Sequence, residues 1–163
     1  MSDPLRELLS VLEADAHASP ARLAALTGIA EDEVRAAVAT WEADGVIRRY
    51  KTVVDWDRLG DERVTAFVDV TVAPERGRGY DDVAERIARF REIRAVHLVS
   101  GAQDLRVEVV GRSMKEVADF VAQRLSGVDR VTATSTHFLL RRYKDDGEIL
   151  ADPEPDRRLP VTP

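Results

Sequence analysis

The sequence predicts an α+β chain in two parts, a helical front section followed by a module in which strands and helices alternate. Three observations carry this. Apolar residues recur at helical spacing as far as about residue 44, the period shifts to two beyond Gly45, and the elements after residue 62 read strand-helix-strand-strand-helix-strand. A chain of 163 residues has room for two small domains. The expected division is 1–55 for the first domain, 56–62 for a hinge, 63–145 for the second domain and 146–163 for a disordered tail.

In the front section, Asp3-Pro4 forms a cap-then-proline start, and Leu5, Leu8, Leu9 and Leu12 follow at i, i+3, i+4, i+7. Ser19-Pro20 repeats that start for a second helix with Leu23 and Leu26 facing inward, which Gly28 ends. A third helix is expected from about Glu31 to Asp44, with Val34, Val38 and Trp41 on one stripe. Residues 46–55 are rich in β-branched side chains and predict a strand pair, or wing. Three short helices, a tight glycine turn between the second and third, and a wing together describe a winged helix-turn-helix. A three-helix packing unit without a DNA role would give the same pattern.

The second module opens with Val64, Ala66, Val68, Val70 and Val72, a strand with one buried face. Pro74 and Gly77-Arg78-Gly79 make a loop. Asp82-x-x-Glu85 is placed to cap a helix carrying Val83, Ile87 and Phe90. Strands are expected at 93–100 and 105–109, with Gly101-Ala102-Gln103-Asp104 as the turn between them. Ser113-x-x-Glu116 predicts a capping box ahead of a helix that turns Val117, Phe120, Val121 and Leu125 inward and stops at Gly127, and the last strand runs 131–140. The order βαββαβ is that of a ferredoxin-like sandwich, four antiparallel strands with two helices on one face. An uncovered sheet face bearing apolar residues invites a second copy, so at least a homodimer is expected. The tail holds four of the chain's seven prolines.

Composition narrows the function classes. No cysteine is present, which excludes disulfides, thiolate metal sites and cysteine nucleophiles. The N-terminus carries acids through its apolar stretch and lacks a basic opening, and no apolar run nears the roughly 20 residues that span a bilayer. A cytoplasmic protein with no membrane partner is expected. The net charge is −6, and residues 1–60 hold seven Lys/Arg against eleven Asp/Glu, so no whole-chain basic footprint of the kind nucleic-acid binders show is present. His17, His97 and His137 have no short ligand spacing, although His97 and His137 could neighbour each other across the sheet. No Gly-rich phosphate loop and no carboxylate pair placed for acid/base work occurs, so neither an enzyme, a metal site nor a cofactor is expected.

Residues 3–145 resemble the Lrp/AsnC family, the leucine- and asparagine-responsive "feast/famine" regulators. The resemblance rests on Leu23-Ala24, Gly28-Ile29, the run Trp41 to Arg48 leading to Tyr50, Leu59-Gly60, Val99 to Asp104, and Val131 to Thr136, in that order and spacing. It implies DNA binding through the third helix and dimerisation through the C-terminal sheets of a RAM-type domain. It further implies assembly into rings such as octamers, and amino acids or related small molecules bound at subunit interfaces around Gly101–Asp104. The chain departs from the family at Ala30, where a serine usually opens the third helix; losing that cap costs about 0.5–2 kcal/mol of helix stability. The third helix offers only Arg35 where the family places several cations, and its acids Glu31, Asp32 and Glu33 sit at the end a helix-turn-helix presents to DNA. Leu105 stands where an aromatic usually follows Gly-x-x-Asp, so the effector pocket is expected to differ in shape.

Candidate contacts to double-stranded DNA are Ser19, Arg22, Arg35, Thr40, Arg48, Arg49 and Lys51, enough for multivalent binding that is weak per subunit. Candidate effector contacts are Ser100, Gly101, Ala102, Gln103 and Asp104, with Thr134 and Thr136 from the last strand. Gly101 permits close backbone approach, and Asp104 is suited to an α-ammonium group. Two other readings stand beside the ligand-responsive regulator. One is a member with weakened or lost DNA binding that acts as a hetero-oligomer partner or metabolite sensor. The other is an enzyme resembling the sirohaem decarboxylases, whose histidine-bearing motifs are not matched here.

Overall fold

The computed structural model describes residues 3–73, 75 and 79–150. Two units meet in sequence between Val53 and Val54. Pro74, the run 76–78 and the prolines of 151–163 lie outside the described residues, and with them most of the expected loop and the tail.

The first unit holds α1 (Asp3–Ala14), α2 (Pro20–Thr27) and α3 (Glu31–Ala43). Ser19 caps α2 by accepting from the Arg22 N–H at 3.2 Å, and Gly28 ends it with φ +71°, donating its N–H to the Ala24 carbonyl. That left-handed conformation is routine only for glycine. Leu8, Leu12, Leu23 and Val34 form the buried core, with Val38, Trp41 and Ile47 packed against it. Leu26, expected inside, is 53% exposed. The inward stripe of α2 runs instead through Leu23, Ala24 and Thr27, and the Thr27 hydroxyl donates to the Leu23 carbonyl at 2.8 Å.

The wing is the second correction. Residues 45–55 contain no strand. The Ile47 N–H donates to the Trp41 carbonyl (3.0 Å) and the Tyr50 hydroxyl to Glu42 (2.8 Å), so the segment is tied to the end of α3. Side-chain and turn hydrogen bonds replace a ladder, and of the β-branched residues Ile47 packs on the helical core while Val46 is 58% exposed.

The second unit is built on a four-stranded antiparallel sheet in the order β2-β3-β1-β4, from β1 (Val64–Val72), β2 (Ile93–Leu98), β3 (Leu105–Gly111) and β4 (Val131–Phe138). This is the ferredoxin-like order the sequence predicts. The buried stripe Ala66, Val68, Val70, Val72 of β1 lies beside Leu105, Val107 and Val109 of β3. Two helices cover that face. Val83 and Ile87 come from α4 (Asp81–Ala88), Val117 and Phe120 from α5 (Met114–Phe120), and Val121 and Leu125 from a π-helical turn that continues α5. Phe90 and Phe120 meet edge to face at 5.5 Å between centroids.

Caps differ from expectation in detail. Ser113 accepts from the Glu116 N–H, but the Glu116 carboxylate reaches the Arg112 N–H at 2.7 Å, one residue before the box partner. Asp82 lies inside α4, whose cap residue, Tyr80, makes no side-chain bond to the helix's first turn, and the Asp82 carboxylate goes to Arg130 instead. Nor does the ordered chain end at 145. β5 (Lys144–Asp145) and β6 (Glu148–Ile149) form a hairpin through Asp146-Gly147, both at positive φ, so residues 146–150 are part of the folded unit. An Asp-Gly pair of this kind suits a two-residue hairpin turn.

Candidate nucleic-acid and ligand sites

All seven residues singled out for DNA lie in the first unit, and all are exposed. Arg22 pairs with Asp15 at 3.2 Å, and Arg35 pairs with Glu31 one turn earlier. Exposed pairs of this type are worth about 0–1 kcal/mol, so a phosphate can displace them. The Thr40 hydroxyl donates to the Ala36 carbonyl at 2.9 Å. The guanidinium of Arg48 folds toward Gly45. Ala30 caps α3 without a side-chain bond, leaving Glu31, Asp32 and Glu33 in its first turn. Those acids suit the helix dipole, yet they put negative charge where a recognition helix meets phosphate.

At one end of the sheet, Ser100, Gly101 and Ala102 are exposed, while Gln103 and Asp104 are half-buried. Gly101 has φ +146°, in the region that favours glycine. Asp104 is tied into the fold. Its N–H donates to the Val70 carbonyl (3.1 Å), its carboxylate accepts from the Val72 N–H (2.8 Å), and the Tyr80 hydroxyl bonds to the same carboxylate, which raises the Tyr80 pKa. Thr134 pairs in register with Val70 and Thr136 with Val68, so both threonines lie on the helix side of the sheet. Thr134 therefore flanks the same end of β1 as Asp104, with its hydroxyl 3.3 Å from that of Ser126, whereas Thr136 lies two residues further along β4. Sequence reasoning missed Tyr80 and Arg130, the residues that brace this end. Arg130 donates to the carbonyls of Ala73 and Gly79 and to Asp82. Its partners are 48 to 57 residues away, and nothing local in the sequence announces them.

The sheet face without helices is mostly polar, a correction to the apolar face expected. Asp69 on β1 is 5% exposed, and Arg106 on β3 grips it through two bonds of 2.8 and 3.1 Å. His137 Nε2 lies 3.4 Å from the same carboxylate and 3.3 Å from the Ser135 hydroxyl. Both contacts use one ring nitrogen, so this is not a nucleophile–base–carboxylate relay, in which opposite ring nitrogens are engaged. His97 and His137 stand on the two outer strands with β3 and β1 between them, hence they are not neighbours.

Hydrogen bonding from Arg106 holds the Asp69 carboxyl below its usual range, outweighing burial. A depressed folded-state pKa adds stability above the unfolded value, about 3.9, and that contribution disappears as pH falls through the folded value. The stability difference between the native chain and Asp69→Asn is therefore expected to be constant from neutrality to about pH 5 and to shrink below about pH 4. Urea unfolding at stepped pH measures it, and a difference unchanged at the acid end would refute the ion-pair account.

The family model for the Lrp/AsnC ligand binding domain matches residues 65–149. Over 158 residues the chain is 42% identical to the uncharacterized HTH-type transcriptional regulator YugG of Bacillus subtilis, covering 96% of this chain and 95% of that one. The chain belongs to the Lrp/AsnC family. Solved structures of the same fold include the Mycobacterium tuberculosis leucine response regulatory protein LrpA, with TM-score 0.75 and 23% identity over 93% of this chain and all of that one. Another is a Neisseria meningitidis transcriptional regulator solved as its L-Met complex, with TM-score 0.70 and 16% identity over 89% and 93%. This Lrp/AsnC regulator has no described helix long and apolar enough to cross a membrane.

Proposed function

We propose that this Lrp/AsnC regulator binds double-stranded DNA as a homodimer or larger ring, such as an octamer, and that an amino-acid-like ligand at the C-terminal domain shifts how its helix-turn-helix pairs are presented. The observation that carries the reading is the joining, in one chain, of a capped helix-turn-helix to a domain matching the family's ligand-binding model. The methionine bound by the Neisseria relative supports the ligand class. Ser19, Arg22, Arg35, Thr40, Arg48, Arg49 and Lys51 are the proposed DNA contacts. Residues 100–104, with Thr134 and Thr136, form the proposed effector region. Because Asp104 is already engaged by Val72 and Tyr80, its part there is to shape the loop as much as to meet an ammonium group.

Anisotropy titrations with the protein's own upstream DNA, repeated over a range of salt, test the DNA half. Log affinity is expected to fall linearly with log salt, by about 0.9 per phosphate contact. Arg48→Gln with Arg49→Gln is expected to weaken binding and flatten that slope by about two for each subunit engaged. No salt-sensitive binding at low ionic strength would reject direct DNA binding. The exposed acids opening α3 favour the second reading, a hetero-oligomer partner or metabolite sensor, and co-purification with a more basic family member would support it. A thermal-shift screen against amino acids tests the ligand half, since a ligand in excess stabilises by RT ln(1 + [L]/Kd).

A further inference from the structure

A cleft of about 160 Å³ lies at the other end of the sheet from Gly101–Asp104, entirely within the second unit. Thr65 and Val110, a register pair at its base, stand five residues along the ladder from the pair Val70 and Leu105, roughly 17 Å away. The cleft is smaller than the roughly 300–1,000 Å³ pockets of drug-sized ligands, so its occupant is small.

Its walls differ in chemistry. Apolar surface comes from Val54, Val110, Leu139 and Leu150. The sheet side contributes Arg94 and Arg142, which lie 3.7 and 3.6 Å from the single carboxylate of Glu108. Arg142 also pairs with Asp145 at 2.7 Å, whereas Arg94 makes no hydrogen bond among the described residues. Arg141 lies over the Tyr143 ring. The facing segment contributes Asp55, Asp57 and Asp61. Asp55 is engaged by Arg58, and Asp61 by Arg63 at 2.7 Å, which leaves Asp57 as the acid of this wall whose side chain has no partner among the described residues. Arg63 stacks on Trp56 at 3.8 Å, fixing the indole at the rim.

Spare cationic donors on one wall, a spare carboxylate on the other and apolar surface between them match a molecule with both charges and a short apolar body. We propose that this cleft is a second effector site, taking a zwitterionic α-amino acid with a small apolar side chain, its carboxylate toward Arg94 and its ammonium group toward Asp57. The proposal rests on the amino-acid-responsive reading above but places a site away from the 100–104 loop. One wall is the stretch that begins where the second unit begins, so occupancy orders the segment leading out of the helix-turn-helix unit.

The chain has two tryptophans, Trp41 and Trp56. In Trp41→Phe, Trp56 is the only indole, and its emission reports on the cleft. Titration with L-Ala, L-Val, L-Leu, L-Ile and L-Met is expected to give a saturable change for at least one of them. The Kd for that amino acid should rise about tenfold or more in Arg94→Gln, as loss of a charge-assisted bond predicts, and likewise in Asp57→Asn. The amide and the 2-oxo acid of the same amino acid, each lacking one charge, should bind more weakly. Calorimetry on the native chain and on Arg94→Gln alone repeats the test without the tryptophan change. A response indifferent to Arg94 and Asp57 but lost in Asp104→Asn overturns the cleft site while leaving amino-acid sensing at the loop intact. No response to any of the five at millimolar concentration overturns it as well.

Discussion

Leu8→Ala is expected to unfold the helix-turn-helix unit while the C-terminal unit stays folded. Leu8 is fully buried, and among the described residues the core it belongs to has three other buried members, Leu12, Leu23 and Val34. Truncating a buried leucine costs about 2–5 kcal/mol, the lost transfer energy plus the cavity left behind. A domain of this size holds only about 3–8 kcal/mol in total, at 0.05–0.15 kcal/mol per residue. One substitution therefore removes from about a quarter to all of the margin. Trp41 packs on this core and, in a Trp56→Phe background, provides the probe: its emission should change at a denaturant concentration where circular dichroism still reports the sheet. DNA binding should go with it. A single transition, shifted but coincident in both signals, would show that the two units unfold together and would refute the independent-core account.

The second large effect is expected at Arg130. Its side chain is 9% exposed, and its donors reach the carbonyls of Ala73 (3.2 and 3.1 Å) and Gly79 (3.1 Å) and the Asp82 carboxylate (2.8 Å). The backbone adds the Ala73 N–H donating to the Arg130 carbonyl at 2.8 Å. One guanidinium thus joins the end of β1, the start of α4 and the start of β4. Hydrogen bonds from a charged group to carbonyls are worth about 1.5–3 kcal/mol each, so Arg130→Ala is expected to cost roughly 3 kcal/mol or more. For a unit of this length that lowers Tm by about 12–24 °C. Arg130→Lys should recover little, because a point ammonium cannot span Ala73 and Asp82 together. The residue also sits at φ +71°, a conformation costing a side-chain-bearing residue about 1–2 kcal/mol. Arg130→Gly should accordingly lose less than Arg130→Ala. Urea midpoints for the three variants measure this order, and an alanine variant as stable as the native chain would overturn it.

Much of the chain was legible in its residues because the relevant signals are local. The alternation of Val64 to Val72, the inward stripe Val117-Phe120-Val121-Leu125 and the Ser19 cap each depend on neighbours within a few positions and form as read, and Ser113 supplies its half of the expected capping box. The order of elements then leaves few ways to cover a one-sided sheet, which is why the ferredoxin-like layout followed. The errors share another cause. Residues 46–55 have strand composition but no strand to pair with, Leu26 has helical spacing but no surface to meet, and His97 and His137 alternate correctly on strands that the topology separates.

The sequence by itself determined the family, the helix-turn-helix, the ferredoxin-like order of elements and the buried face of β1, since periodicity and capping are written within one element. Tertiary structure alone decided the Asp69–Arg106–His137 cluster, the Arg130 clip and the cleft beside Trp56. Each of these depends on which strands lie side by side. That choice is made by burial summed over the whole sheet, and no stretch of ten residues contains it.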